Sequence, residues 1–435
     1  MGAEALSPLA VIEQAVQERA KALELDLSAE GAAAALADLV DEEVRRWSEE
    51  HKRGRRDFDL ADPSAVADRA LRNLAGYGPL APLLADEDVW EVMINAPDQV
   101  FVKRHRGPSG YHDEVFHDDE HVVRTLTKIL DDAAAAHRKL DPAEGLQDAQ
   151  LDNGARLHIV HRDIGRDSHL IVNIRKFTGV AFRSLSELVD REMLSAAAAS
   201  FLQAGVRARL SMVFAGAPGA GKTTLLSCCV AELDPTLRVV IAEEVFEADV
   251  PLANVASLQT RAARTDRDPV DLRRLVAGFL RMAPDVAIVG EVRDKEALPL
   301  LLTLSSGVKG FTTIHAGSAR QALTRLRFIC QLADTSSELP MSALNTLVTE
   351  AIDVVVHARR ADGHVRVEEI VCVEDLQTGV ASPNFTVTTV FAREGVDGPL
   401  MWTGELPVRV QRAFAETGVD LRALLEQGGP GGAQA

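Results

Sequence analysis

A glycine-rich loop followed by lysine and threonine is the clearest chemical signal in this chain. It occupies residues 216–223 and matches the spacing G-x-x-x-x-G-K-[ST]. Backbone N–H groups of such a loop can surround phosphate oxygens, while Lys222 would reach the β- and γ-phosphates and the Thr223 hydroxyl would ligate Mg²⁺. The predicted nucleotide-binding residues of this segment are Gly216, Ala217, Pro218, Gly219, Ala220, Gly221, Lys222, Thr223 and Thr224.

The segments on either side of this loop have the patterns of a strand and a helix. Residues 210–214 form an apolar run typical of a buried strand, and residues 224–226 open a helical pattern. A helix that starts at the loop directs the positive end of its dipole at the same phosphates. The setting therefore indicates a nucleotide site and not a glycine-rich turn with a surface lysine.

Carboxylates at the ends of two further apolar runs could complete such a site. Glu243, Glu244 and Glu247 follow the run VVIA, and Glu291 follows the run VAIVG. Open parallel sheets bind ligands at the carboxyl ends of their strands. An acidic side chain there can hold Mg²⁺ or orient an attacking water. Spacing alone does not decide between Glu243 and Glu244.

Two other polar residues occur in the same alternating pattern of strands and helices. His315 follows the apolar run GFTTI, and Arg261 closes the segment SLQTR. A single histidine at a strand end is more often structural than catalytic, and a single arginine is an ordinary charged loop residue. Residue type alone therefore assigns neither of them to the site.

The size and composition of the chain are those of a globular protein with two or three domains. It has 435 residues, and its net charge of −18 argues against nucleic acid as the main partner. Its four cysteines lack metal-ligand spacing, which favours a reducing compartment. The N-terminus lacks a signal-peptide pattern, and no apolar run approaches about 20 residues. We expect a cytoplasmic protein that contacts a membrane only through a partner.

Changes in the hydrophobic and charge pattern along the chain predict regions of different secondary structure. Asp62 and Pro63 have the spacing of a helix N-cap and first turn. Apolar strands alternating with helices after residue 190 predict an α/β core with a mostly parallel sheet covered on both faces. The expected organisation is an N-terminal helical segment at 1–58, a smaller α+β domain at 59–177, a linker at 178–190, a P-loop core at 191–372, a C-terminal extension at 373–427 and a disordered tail at 428–435.

Taken in order, five segments resemble the motifs of one family, the ATPases of type II/type IV secretion and pilus assembly. GAPGAGKTT, VVIAEEVFE, SLQTR, RMAPDVAIVGEVRD and GFTTIHAGSA are similar to its Walker A motif, Asp box, arginine segment, Walker B motif and His box. Upstream, GYGPLAPLLADEDVWEVMINAPDQVFV resembles the amino-terminal domain of the tight-adherence (Flp) pilus assembly branch. The resemblance covers about residues 70 to 420.

This resemblance implies a RecA-like core that hydrolyses ATP with Mg²⁺. Glu291 would be the catalytic Walker B glutamate, Glu243 and Glu244 the Asp-box carboxylates, and His315 the residue that senses the nucleotide. Thr223, Glu244 and Glu291 would hold the metal, and three arginines would contact the nucleotide. These arginines are Arg156 and Arg175 of the amino-terminal domain and Arg261 of the arginine segment. The expected assembly is a homo-hexamer acting on an inner-membrane platform protein at the inner face of the membrane.

The chain departs from the family pattern at three positions. The Asp box reads Ile-Ala-Glu-Glu where Thr-Ile-Glu-Asp is usual, Gly307 is followed by Val308 and Lys309 where a second histidine is normal, and Gln150 occupies a position that tends to be arginine. These changes predict slow turnover. Two alternatives stay open: a DNA-handling RecA-like motor or partition ATPase, which the acidic balance disfavours, and a scaffold that binds nucleotide without hydrolysing it.

Overall fold

The computed structural model of the chain divides into two compact units, Met1–Thr178 and Gly179–Ala435. The residues that the structure describes are 7–25, 31–104, 107–133, 139–151, 154–176, 182–248, 250–261, 268–333, 339–361, 363–375, 384–395 and 398–427. The predicted tail at 428–435 lies outside them. In the described part of the chain, no helix combines the length and apolar character needed to cross a membrane.

The first unit begins with three helices around a small apolar core. They are α1 (Pro8–Ala22), α2 (Ala32–Lys52) and α3 (Pro63–Ala75). Their shared core includes Val16, Val40 and Trp47, each of them buried. The Asp62 side chain accepts a hydrogen bond from the Ala65 N–H at 3.0 Å and caps α3, which confirms the predicted helix start.

The rest of the first unit is a six-stranded antiparallel sheet with helices on one face. Its order is β3-β2-β1-β6-β5-β4. Apolar strand residues pack against the helices, as the alternation of an antiparallel sheet requires. The strands are β1 (Val89–Ala96), β2 (Gln99–Arg104), β3 (Gly110–Tyr111), β4 (Leu146–Gln150), β5 (Arg156–Val160) and β6 (Ile171–Arg175), and the helices are α4 (Leu80–Ala85) and α5 (Asp119–Asp132), with short 3₁₀ turns at Pro142–Glu144 and Arg166–Ser168.

The second unit is built on a nine-stranded sheet of order β15-β14-β13-β12-β7-β11-β10-β8-β9. The six strands from β12 to β9 in this order are parallel, and β13, β14 and β15 extend the sheet with antiparallel pairing. The strands are β7 (Met212–Ala215), β8 (Val239–Glu243), β9 (Val255–Gln259), β10 (Val286–Val292), β11 (Lys309–Ile314), β12 (Val354–Ala361), β13 (His364–Val373), β14 (Val387–Arg393) and β15 (Leu400–Trp402).

Helices cover both faces of this sheet, which explains why its central strands read as continuous apolar runs. Alternate residues of β7 divide between the faces: Met212 and Phe214 belong to one apolar cluster, Val213 and Ala215 to the other. The first face carries α6 (Leu185–Asp190), α7 (Ala196–Arg207), α8 (Lys222–Val230), α13 (Gln411–Glu416) and α14 (Leu421–Gln427), and the second carries α9 (Leu272–Ala277), the 3₁₀ turn Phe279–Arg281, α10 (Ala297–Ser305), α11 (Ala319–Ala333) and α12 (Met341–Ala351). The predicted α/β class with a mostly parallel, RecA-like P-loop core is confirmed.

Two regions that we expected outside the core contribute to it. The predicted linker at 178–190 contains α6, whose Leu185 and Leu188 are buried in the core, and the predicted extension at 373–427 supplies β14, β15, α13 and α14. An ion-pair network also joins the extension to the amino ends of the parallel strands. Buried Asp353 accepts hydrogen bonds from the Ser211 N–H at 2.8 Å, from Lys309 Nζ at 3.1 Å and from Arg409 Nη2 at 2.9 Å.

Candidate nucleotide site

The glycine-rich loop lies between the end of β7 at Ala215 and the start of α8 at Lys222. Gly219 and Gly221 have φ angles of 73° and 76°, a region that glycine adopts far more easily than other residues. A Cβ on Gly216 would lie 2.4 Å from the Ala358 carbonyl oxygen. The loop is therefore pressed against β12 and has the backbone shape that the sequence pattern predicts.

Lys222 is buried in the first turn of α8, with 7% of its surface exposed. Its Nζ donates a hydrogen bond to the Ala217 carbonyl at 3.0 Å, which keeps the ammonium beside the loop. Thr223 and Thr224 follow in the same turn and are at least partly buried. The positive end of the helix dipole, the lysine and the loop N–H groups thus lie together, an arrangement suited to phosphate.

His315, just after β11, links the loop lysine to the Walker B strand. Its Nδ1 lies 3.2 Å from Lys222 Nζ, and its Nε2 lies 2.7 Å from Glu291 Oε1. Burial and the Lys222 charge lower the pKa of His315, so the ring is neutral at pH 7. The same Nδ1 also lies 3.3 Å from the Gly216 carbonyl oxygen, so the ring contacts the loop backbone, the loop lysine and the Glu291 carboxylate.

Arg293 joins the two acidic strand ends. Its Nη2 donates to Glu291 Oε2 at 2.8 Å and its Nη1 donates to Glu244 Oε2 at 2.7 Å. Burial acts to raise the pKa of Glu291, but the hydrogen bond and charge of Arg293, together with the charge of Lys222, lower it below the usual value. Glu291 is therefore ionised at neutral pH.

The two adjacent glutamates at the end of β8 have different surroundings. Glu243 is 3% exposed, and its Oε1 accepts hydrogen bonds from the N–H groups of Glu247 and Ala248, both at 3.0 Å. A Cβ on Gly290 would lie 2.8 Å from Glu243 Cγ, so glycine before Glu291 leaves room for this carboxylate. Glu243 thus shapes the loop after β8, whereas the half-exposed Glu244 reaches Arg293.

A further acidic residue, Glu296, holds the turn after β10. It is 6% exposed, and its Oε1 accepts the N–H groups of Arg293 at 2.5 Å and Asp294 at 2.8 Å. These two bonds fix the backbone from which the Arg293 side chain extends. Neither Glu296 nor the bridging role of Arg293 was predicted from the sequence; the available signal was an acidic residue a few positions after the end of an apolar run.

The three predicted arginines belong to different parts of the chain, one to the second unit and two to the first. Arg261 is exposed and donates from Nε and Nη2 to the Asp268 carbonyl at 3.3 and 3.0 Å. Arg156 and Arg175 belong to the first unit, where they are directly opposite each other on β5 and β6. On the other side of β6, Glu91 of β1 lies directly opposite Arg175. The predicted contact of the three arginines with nucleotide stays a prediction.

The predicted metal ligands of the site have the donor chemistry that Mg²⁺ prefers. Among the described residues, no group of three or more His, Cys, Asp or Glu side chains could hold a metal ion by itself. The predicted ligands, Thr223, Glu244 and Glu291, offer hydroxyl and carboxylate oxygens, the hard donors that Mg²⁺ prefers. Because Mg²⁺ in proteins commonly completes its coordination with phosphate oxygens and water, this donor set fits a metal–nucleotide complex.

Comparison with known proteins shows which family this chain belongs to. Residues 73–382 match the family described as type II/IV secretion system protein. A putative conjugal transfer protein of Mycobacterium tuberculosis is 32% identical over 322 residues, covering 72% of this chain and 89% of that protein. The type IV secretion system protein PtlH of Bordetella pertussis is 30% identical over 309 residues, covering 65% of this chain and 89% of that protein. The VirB11 ATPase structure from the Brucella suis type IV secretion system, in complex with sulphate, shows 26% identity and a TM-score of 0.36, covering 67% of this chain and 94% of that one. The chain therefore belongs to the type II/IV secretion system protein family.

Proposed function

We propose that this protein hydrolyses ATP with Mg²⁺ and uses the energy to drive secretion or pilus assembly. The observation that carries the proposal is the chain of contacts from Lys222 through His315 to Glu291 and on through Arg293 to Glu244. It connects a phosphate-binding loop with an ionised carboxylate, the two parts that nucleotide hydrolysis requires. Family membership supports the same conclusion, and relatives in conjugal transfer and type IV secretion support the cellular role.

Each side chain has a distinct task in this proposal. Lys222 and the loop N–H groups would bind the phosphates, and Thr223, Glu244 and Glu291 would hold Mg²⁺, which neutralises phosphate charge when bound. Glu291, ionised at neutral pH, orients the attacking water and accepts its proton. His315 contacts both Lys222 and Glu291, so a lysine that turns toward phosphate changes the surroundings of the carboxylate.

Replacement of the carboxylate tests hydrolysis directly. Glu291→Gln should retain ATP binding and lower turnover by roughly 10²-fold or more, because the amide cannot accept the proton. Steady-state phosphate release and equilibrium ATP binding measure the two effects. Glu416→Gln, an exposed change on α13, is the matched control.

Other outcomes would favour other functions. An unchanged rate in Glu291→Gln would move the catalytic role to Glu244 or Glu243. Tight ATP binding by the unaltered protein without phosphate release would favour the nucleotide-dependent scaffold. Turnover stimulated by DNA would favour the DNA-handling motor.

We further propose a homo-hexameric ring, located in the cytoplasm and recruited to an inner-membrane platform protein. Closed rotational symmetry is the ordinary way to let each nucleotide site respond to its neighbour. Nucleotide that binds the assembled form more tightly shifts the equilibrium toward it by mass action. Mass measurement in solution should show a hexamer that forms, or becomes much more stable, with Mg²⁺ and a non-hydrolysable ATP analogue. A monomer under both conditions with full ATPase activity would exclude the ring.

A further inference from the structure

Strand β12 carries an arginine to the glycine-rich loop. Its residue His357 pairs with Ala215, the last residue of β7, so the remainder of β12 runs alongside the loop. Ala358 contacts the loop at Gly216, as described above, and the Arg360 Nε donates a hydrogen bond to the Gly219 carbonyl at 3.0 Å. An arginine that lies 141 residues beyond Gly219 in the chain thus holds the middle of the phosphate-binding loop.

The neighbouring arginine on the same strand has a different environment. Successive side chains of a strand point to opposite faces of the sheet. Arg359 Nε donates to Glu368 Oε1 on the adjacent strand β13 at 3.3 Å, an ordinary exposed ion pair. Arg359 is therefore satisfied without the loop, and it provides an internal control for the charge of Arg360.

Among the described residues, the recorded ion pairs give Arg360 no carboxylate partner. Burial lowers the pKa of its guanidinium, and no nearby charge is recorded that opposes this effect. An arginine remains protonated even so. Only Nε is used by Gly219, and the guanidinium has four other N–H donors. A positive charge held beside a phosphate-binding loop without a counter-ion is complementary to a polyanion.

We propose that Arg360 is a further nucleotide-binding residue, which positions the loop through the Gly219 carbonyl and supplies positive charge to the phosphates of a nucleoside di- or triphosphate. The proposal rests on the nucleotide binding proposed above. In this proposal β12 contributes a second cation to the nucleotide site, in addition to Lys222 and from the same chain. Because the attraction is electrostatic, its effect must weaken as salt screens the charge.

The test is calorimetric titration of the full chain with Mg-ATP and Mg-ADP at low and at high salt. Arg360→Gln should weaken ATP binding about tenfold at low salt, the scale of one charge-assisted contact, and should reduce the dependence of affinity on salt. Arg360→Lys, which keeps the charge and a donor for Gly219, should retain most of the affinity. Arg359→Gln should bind as the unaltered protein does.

The outcomes separate this inference from the function on which it rests. If the unaltered protein does not bind ATP, the proposed function fails. If it binds and Arg360→Gln binds equally well, only the role of Arg360 is refuted. Arg360→Gln could also lose ATP affinity without a change in salt dependence and without rescue by Arg360→Lys. That result would show that Arg360 only supports the loop structure, and it would overturn the inference. If the Arg360→Gln variant melts below the assay temperature, the Arg360→Lys variant alone tests the proposal. A loss of ATP affinity in Arg360→Lys as large as the loss in Lys222→Ala would contradict it.

Discussion

A buried histidine in the first unit should make that unit sensitive to acid. His121 on α5 is 1% exposed, and its Nδ1 accepts a hydrogen bond from the His117 N–H at 3.3 Å. Burial lowers its pKa to about 4, and the charges of His117 and Arg124 act in the same direction, while Glu13 and Asp118 oppose them. A proton on Nδ1 would also remove the acceptor of that hydrogen bond.

The size of the effect follows from the difference between folded and unfolded pKa values. In the unfolded chain His121 takes up a proton near its ordinary pKa of 6.5, whereas in the folded unit it does so only near 4. Stability is therefore complete above pH 6.5 and is lost as the pH falls toward 4. Linkage between these two values gives a loss of about 2.5 kcal/mol between about pH 7.5 and pH 4.5.

Urea unfolding at these two pH values measures the loss. Tryptophan fluorescence reports on the first unit through Trp47 and Trp90 once Trp402 of the second unit is replaced by phenylalanine. In this background His121→Asn, which places an acceptor oxygen near the position of Nδ1 but cannot titrate, should lose about 2.5 kcal/mol less on acidification. Carboxylates that titrate in the same range affect both proteins and cancel. Equal acid sensitivity of the two proteins would refute the reasoning.

Two further substitutions test the second unit. Gly290→Ala should displace the Glu243 carboxylate, lower the stability of the unit by about 1–3 kcal/mol and reduce ATP turnover. Thermal melting and phosphate release measure these two effects. The control is Gly110→Ala, where an added Cβ meets open space. Asp353→Ala should lower the free energy of unfolding by about 3 kcal/mol, because it leaves the Arg409 and Lys309 charges without their shared carboxylate. Urea unfolding followed by Trp402 fluorescence measures this loss. A loss under about 1 kcal/mol would show that the stability of the unit does not depend on the network.

The sequence was sufficient to predict those parts of the structure that a local pattern determines. The strand, loop and helix around Lys222 were predicted because buried parallel strands are continuous apolar runs and glycine is required where φ is positive. The N-cap at Asp62 was predicted for a similarly local reason, since its side chain bonds a residue three positions away. The proximity of the strand ends that carry Glu243, Glu244 and Glu291 follows from their shared parallel sheet.

The remainder depends on contacts between distant segments. The sequence does not distinguish Glu243 from Glu244, because successive side chains near a strand end point in opposite directions. Only the structure shows that Glu243 accepts hydrogen bonds from the loop backbone and that Glu244 pairs with Arg293. The contact of Arg360 with the loop depends on β12 being the neighbour of β7, a strand order that no local pattern encodes. Helix α6 was missed because it has only six residues in a polar setting.

The order of the nine-stranded sheet determines where the chain can be shortened. Its two outer strands are β15 and β9, of three and five residues, and such short edges offer few free N–H and C=O groups to another molecule. A chain cut at the end of the family match, residue 382, would lack β14 and β15 and would leave the ten-residue β13 as an open edge. Such an edge is a template for aggregation. A soluble version of this unit therefore has to continue through β15 and the helices that follow it.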